Sequence, residues 1–191
     1  MKTNEKKLFA SGVYIRQEQE SDFNEISHIV DMDSKQWKSI EFNKSWVIEH
    51  IRSSPFYIPE LAFIAHADDE LAGYLMFSKL IIRENGIPHD SLLLGPLAIA
   101  PAFQKKGIAR KMIEYGLQAA GEHGYATVFV CGHADFYQEM GFVPHVGIVG
   151  GNKDEAVLAY ELVDGALSEI SGQMEPFELL HDSLKEVSRN E

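Results

Sequence analysis

The sequence predicts an α/β domain built on a mixed sheet with helices on both faces. Three observations carry this. Apolar runs of strand length, near residues 61–66, 71–78, 92–99, 126–130 and 157–162, are separated by stretches whose apolar residues recur every three to four positions, near 23–30, 43–53 and 107–121. The 191 residues suffice for one domain with a buried core. The composition, 45% hydrophobic and 24% charged, is that of a globular chain.

The elements follow in order. Val13 to Arg16 reads as a short first strand. Ser21 and Asp22 offer N-caps for a helix that carries Phe23, Ile26, Ile29 and Val30 at helical spacing. A second helix is expected over 43–53 with Trp46, Val47 and Ile51 inward, ended by Pro55 and Pro59. The runs 61–66 and 71–78 flank the acidic turn Asp68-Asp69-Glu70 and predict a β-hairpin. A third run, 92–99, leads into a helix over 107–121 with Ile108, Met112, Gly116 and Ala119 on one face. A buried strand at 126–130, a short helix at 133–140 and closing strands at 142–143 and 157–162 complete the order β-α-α-β-β-β-α-β-α-β-β. Domain organisation is read as one domain over 1–163 and an acidic C-terminal tail over 164–191. The tail has apolar spots at Leu167, Ile170, Phe177, Leu179, Leu180 and Leu184, enough for a short helix at 177–187 to dock on the domain or on a second copy; Gly165, Gly172 and Pro176 interrupt it.

Charge and cysteine usage narrow the function. A net charge of −12 argues against nucleic acid as a partner. The basic residues cluster only over 91–113, where Lys105, Lys106, Arg110 and Lys111 meet no acid; that is the size of a small-anion site. No apolar run approaches the roughly 20 residues of a membrane span, and the N-terminus lacks the apolar core of a signal peptide. The single Cys131 excludes an internal disulfide, and no Cys/His cluster has zinc-ligand spacing, so a cytoplasmic protein without a metal is expected.

The most informative stretch is 94–110, which runs from a strand through a loop into a helix N-terminus. Helix N-termini present unpaired N–H groups and partial positive charge, and they bind phosphates. Gly107 removes a Cβ where the backbone must approach an anion, Ala109 keeps the next position small, and Lys105, Lys106 and Arg110 add positive charge. Pro96 inside an apolar run cannot donate to a sheet ladder and implies an edge or bulge. A bulge there would splay the strand from its neighbour and free backbone groups for an extended ligand with amides, such as pantetheine.

At these residues the chain resembles the GNAT superfamily of N-acetyltransferases, in a bacterial branch of predicted acetyltransferases. Gln104-Lys105-Lys106-Gly107-Ile108-Ala109 matches the family's (Q/R)-x-x-G-x-(G/A) acyl-CoA signature, and Leu97-Ala98-Ile99 matches the strand that pairs with pantetheine. The resemblance covers 13–162. It implies the GNAT fold, a mostly antiparallel sheet splayed between the family's fourth and fifth strands, here the runs 92–99 and 126–130. It also implies acetyl-CoA as cosubstrate, bound by Leu97, Ala98, Ile99, Gln104, Lys105, Lys106, Gly107, Ile108, Ala109, Arg110 and Phe136.

Phe136-Tyr137-x-x-x-Gly141-Phe142 resembles the family's FYxxxGF element, whose tyrosine sits by the thioester sulfur. The chemistry suits a tyrosine. When an amine attacks a thioester, the sulfur must leave, and a phenol with an ordinary pKa of about 10 can protonate it. Tyr137 is therefore the expected catalytic residue, while Phe136 and Phe142 read as packing aromatics. The acceptor amine must also lose a proton. His133, Glu60, Glu41 and His66 are base candidates by residue type, and water is another. His133 stands where the related branch is often acidic. The expected function is transfer of acetyl from acetyl-CoA to a primary amine of a small molecule or protein in a ternary complex. The alternative is a non-catalytic module of the same fold that binds acyl-CoA or a partner. An oxidoreductase is disfavoured because no G-x-G-x-x-G follows the first strand.

Overall fold

A computed structural model of the chain describes residues 7–9, 12–34, 44–149, 156–168 and 170–174. The expected tail helix at 177–187 and Glu41 lie outside the described residues. The chain forms two compact units: residues up to Ser78 with 94–119, and residues 79–93 with 120 onward.

The first unit holds β1 (Lys7–Leu8), β2 (Tyr14–Gln17), α1 (Phe23–Ser34), α2 (Lys44–Arg52) and β3 (Tyr57–Ala67). It also holds the start of β4 (Glu70–Glu84), the end of β5 (Ile87–Ile99) and most of α3 (Ile108–Glu122). β1, β2, β3 and β4 pair in that order, each antiparallel to the next. The predicted hairpin is present, and its turn residues Asp68 and Asp69 both hold positive φ, 53° and 62°. That left-handed pair is tolerated by Asp, whose short polar side chain bonds locally.

Strand alternation places helices on both faces of β4. Gly73 and the side chains of Leu75 and Phe77 point to α3. A Cβ on Gly116 would sit 2.2 Å from the Phe77 ring, and one on Gly73 would sit 2.9 Å from Met112 Sδ. Each glycine makes room for a side chain from the facing element, Gly116 for Phe77 of β4 and Gly73 for Met112 of α3, so the helix lies close to the sheet. Tyr74 points the other way, where Arg52 of α2 lies over its ring at 5.9 Å. The α1 face is as predicted, with Ile26, Ile29 and Val30 buried. Its first turn is a 3-10 turn (Glu20–Asp22), where Asp22 Oδ2 accepts the Gln19 N–H at 2.8 Å. In α2 the buried residues are Ile48 and Ile51. Trp46, predicted inward, is only half-buried and stacks on His50 one helical turn on, with ring centroids 5.1 Å apart.

The second unit holds the end of β4, the start of β5, β6 (Thr127–Cys131), α4 (Ala134–Gln138), β7 (Val143–Pro144), β8 (Ile148–Val149), β9 (Val157–Glu161) and β10 (Gly172–Met174). β5 and β6 are parallel, and their ladder covers two pairs, Leu92↔Val128 and Leu93↔Phe129. β6 continues through Val130 and Cys131 on β9 alone, an antiparallel partner over five residue pairs. Pairing between β5 and β6 thus stops just before Gly95-Pro96, as a strand that loses a donor at proline requires. β1, β8 and β10 were not expected from the sequence, being two or three residues long; β8 and β10 are also set by partners far along the chain, whereas β1 pairs with the nearby β2. β10 pairs with β4 and β8, and Met174 is fully buried.

Candidate active site

The first unit carries the predicted anion cradle. β5 ends at Ile99, and the Ala100 N–H donates to Ala72 O at 2.9 Å, fixing the exit of the strand. A 3-10 turn follows at Pro101–Phe103. The Gln104 side chain reaches back to donate to Ile99 O at 3.1 Å, so it braces the loop on its own strand. Lys105 and Gly107 both hold positive φ, 60° and 76°. They turn the chain so that α3 begins at Ile108. The first helical bond runs from Lys111 N to Gly107 O at 3.2 Å, which leaves the N–H groups of Ile108 and Ala109 ahead of the ladder.

The charges suit a polyanion. Lys105, Lys106 and Gly107 are exposed. Lys106 Nζ lies 5.0 Å from the centre of the Phe103 ring. Lys111 Nζ folds back to 3.7 Å from where a Cβ on Gly107 would sit, a placement not foreseen from the sequence, where Lys111 was only one of four nearby cations. No ion pair involves Lys105, Lys106 or Lys111 among the described residues. A free helix start, a glycine cradle and unpaired ammonium groups fit the pyrophosphate of a CoA ester. On the strand, Gly95, Pro96 and Leu97 are half-buried, whereas Ala98 and Ile99 are buried. Of the three residues expected to line pantetheine, Leu97 is the more accessible.

The second unit carries Tyr137. α4 starts after Gly132 and His133, both with positive φ, 95° and 27°. Tyr137 is 4% exposed. Its ring lies edge-on to Phe136 at 5.2 Å and to Phe142 at 5.5 Å, and Phe142 meets Tyr160 at 5.2 Å. Tyr137 O accepts the N–H groups of Met140 and Phe142 at 3.0 and 3.1 Å, closing the turn into β7. Gly141 is needed there: its φ is 92°, and a Cβ would press on the Tyr160 ring at 3.3 Å. Burial, with a smaller contribution from Cys131, pushes the Tyr137 phenol above its ordinary pKa. The cause is the cost of a phenolate in an apolar setting, and the result is a hydroxyl that keeps its proton at neutral pH.

The base candidates have other surroundings. The His66 ring stacks on Tyr14 at 4.8 Å. At nearby Asp22 burial is outweighed by the Arg16 bonds at 2.7 and 2.8 Å, the Gln19 N–H and, least, His66, and the carboxyl is held low. Glu60 is exposed, and its carbonyl accepts Gln17 Nε2 at 3.2 Å. His133 is exposed at the start of α4.

A buried polar centre in the first unit was missed by the sequence reading. Arg52 donates to Glu18 through Nε at 3.2 Å and Nη2 at 2.5 Å. Tyr57 donates to Glu18 at 2.6 Å, and the guanidinium lies 3.6 Å over the Phe23 ring. The Arg52 and Glu18 side chains are 6% and 1% exposed. Burial is the largest single effect and works against the Arg52 charge, but the bonds and charge of Glu18, together with Tyr74 and the bond to Glu49, outweigh it and raise its pKa. No sequence signal points to a pair 34 positions apart. Among the described residues no group of three or more His, Cys, Asp or Glu could hold a metal, and no helix is long and apolar enough to cross a membrane.

Comparison with known proteins supports the expected resemblance. Residues 59–144 match the acetyltransferase (GNAT) domain family. The chain is 30% identical over 92 residues to the uncharacterized N-acetyltransferase YjhQ of Escherichia coli K12, across 48% of this chain and 51% of that protein. The chain thus spans about half the length of that relative. To the uncharacterized N-acetyltransferase YhbS of the same organism it is 27% identical over 120 residues, across 60% of this chain and 71% of YhbS. The fold is similar to that of the crystal structure of YhbS in complex with CoA, with a TM-score of 0.74, 24% identity, and coverage of 87% and 90% of the two chains. It is also similar to a GNAT family acetyltransferase from Brucella melitensis in complex with acetyl-CoA, at a TM-score of 0.71 and 20% identity over 86% and 95% of the chains.

Proposed function

We propose that this chain, which carries a GNAT domain over residues 59–144, is an N-acetyltransferase that moves acetyl from acetyl-CoA to a primary amine by direct transfer in a ternary complex. The observation that carries the reading is the start of α3, where Gly107 at positive φ, N–H groups ahead of the helix ladder and lysines with no acid partner among the described residues meet. Leu97, Ala98 and Ile99 line the extended arm, and Gln104 to Arg110 cradle the phosphates, with Gln104 acting through the loop it braces. Phe136 packs the tyrosine.

Acetyl-CoA supplies the activated acetyl thioester. Tyr137 is the general acid: its Oη holds the proton that the departing sulfur takes up. Burial keeps the phenol protonated well beyond neutral pH and also makes it a weaker acid, so its part is to hydrogen-bond the developing thiolate rather than to drive the proton across. A thiolate leaves readily by itself, so the hydroxyl need only hydrogen-bond it as charge builds on the sulfur, with the proton following as the thiol is released. The acceptor is a small molecule or a protein amine, and a second copy of the chain is a proposed partner.

The alternative is a module that binds acyl-CoA without chemistry. It is favoured by one observation: His66 and Glu60, two of the candidate bases, are respectively stacked on Tyr14 and turned to solvent. Release of free thiol from acetyl-CoA with a panel of amines separates the two. Turnover with any amine supports the enzyme; acetyl-CoA binding with no thiol release across the panel supports the module.

A further inference from the structure

Tyr137 sits in a helix too short to hold itself. α4 has five residues, and isolated helices far longer than that are marginal in water. Packing must therefore fix where the phenol points. Its ring is held edge-on by Phe136 and Phe142. Phe136 lies in the same helix and moves with Tyr137, so it is no anchor. Phe142 lies outside the helix and is 2% exposed. Tyr160 of β9 reaches Phe142, with ring centroids 5.2 Å apart and planes tilted by 52°. β9 is a firm base for that contact. It pairs with β6 over five residue pairs, Val128↔Tyr160 among them. It also pairs with β7 through Val143↔Ala159 and Pro144↔Leu158, a register that sets Phe142 beside Tyr160. The backbone of the turn rests on the same ring, since a Cβ on Gly141 would meet Tyr160 Cε2 at 3.3 Å. Tyr160 thus supports both the residue that Tyr137 packs on and the turn whose N–H groups Tyr137 O accepts.

We propose, on the reading of Tyr137 as the acid, that Tyr160 is a positioning residue: its ring, acting through Phe142 and Gly141, holds the Tyr137 hydroxyl toward the departing sulfur. The ring and not the Tyr160 hydroxyl does this, because the contacts with Phe142 and at Gly141 are made by ring carbons. Aromatic pairs of this kind are directional, and a small misplacement of a reacting group slows chemistry steeply.

Two readouts on the full chain test the proposal. The first needs no acceptor. With isotope-labelled tyrosine rings, the Tyr137 signal, identified by its loss in Tyr137→Phe, should shift or broaden in Tyr160→Leu and stay in place in Tyr160→Phe. Leucine keeps apolar volume at the site, whereas Tyr160→Ala would leave a destabilising cavity. The second readout is single-turnover transfer from acetyl-CoA to the panel amine that releases thiol fastest. Tyr160→Leu should slow it about tenfold, and Tyr160→Phe should restore it to within about a factor of two. In the Tyr137→Phe background Tyr160→Leu should cause no further loss, because the hydroxyl it positions is gone. Acetyl-CoA affinity should hold throughout. A Tyr137 signal unmoved by Tyr160→Leu, or losses that multiply in the double variant, would overturn the proposal. So would a Tyr160→Phe chain as slow as Tyr160→Leu, which would assign the effect to the Tyr160 hydroxyl. An unaltered rate in Tyr137→Phe alone is a different failure: it removes the acid, and the positioning role falls with it.

Discussion

The donor loop of the first unit and the tyrosine turn of the second solve different problems with different materials. The loop at 104–110, exposed at Lys105 to Gly107, works through backbone: a glycine at positive φ, N–H groups ahead of a helix ladder, and lysines with no acid partner among the described residues. Tyr137 is 4% exposed and works through one side-chain atom, whose acidity is set by the aromatic residues and the burial around it. A site made of backbone tolerates side-chain change except where a Cβ intrudes. A site made of one hydroxyl tolerates packing change only while that hydroxyl remains.

The largest effect should come from breaking the backbone site at its one intolerant position. Gly107→Glu places a side chain on a residue at φ 76° and sets a carboxylate beside Lys111 Nζ, where the phosphates would lie. Charge-assisted bonds are worth about 1.5–3 kcal/mol each, so calorimetry should show acetyl-CoA affinity falling by about 10² or more. Affinity within a factor of three of the unaltered chain would remove the loop from the binding site.

Next in size is the hydroxyl. Tyr137→Phe keeps the ring against Phe136 and Phe142 and loses only Oη, so acetyl-CoA affinity should hold. The single-turnover transfer rate should fall by about 10², the low end for a positioned proton donor, because a CoA thiolate already leaves readily. A mutant with an unchanged chemical rate would reduce Tyr137 to packing. Loss of acetyl-CoA binding as well would break the contrast between the two regions from the other side.

A smaller effect sharpens the comparison on the loop. Lys106→Ala removes one exposed ammonium whose contribution is screened by salt. Affinity for acetyl-CoA should drop about two- to fivefold at 50 mM salt, with most of the difference gone at 300 mM. A drop that does not shrink with salt would mean that Lys106 acts through its packing on Phe103.

The smallest expected change is with pH. The phenol is neutral when protonated, and burial favours the neutral form, so its pKa moves up. Tyr137 should therefore lose its proton only above the ordinary tyrosine range. The single-turnover rate should show no fall as pH rises from 8 to 10 that is absent from Tyr137→Phe. A falling limb in that window, lost in the variant, would show that Tyr137 ionises as an ordinary tyrosine.

The two regions also differ in how far they could be read in advance. The loop was legible because its parts are local: strand, glycine, cations and helix start lie within 17 consecutive residues, 94–110. The hairpin turn at Asp68-Asp69 and the inward faces of α1 and α3 were legible for the same reason. Tyr137 was legible as a residue, but its raised pKa was not, since that depends on Phe142 and Cys131 and on burial that only folding creates.

Local sequence determined the helices, the long strands, the glycine cradle and the placement of positive charge, because periodicity, turn chemistry and helix-end electrostatics act over a few residues. Only the tertiary structure decided which distant groups meet. Glu18 and Arg52 are paired from 34 positions apart, Gly116 receives the Phe77 ring, and Met174 beyond the expected domain end is buried against Leu80 and Ile82. The apolar contacts gain their energy from burial and close packing, while the ion pair offsets its desolvation cost with charge-assisted bonds; neither leaves a pattern in the spacing of residues along the chain.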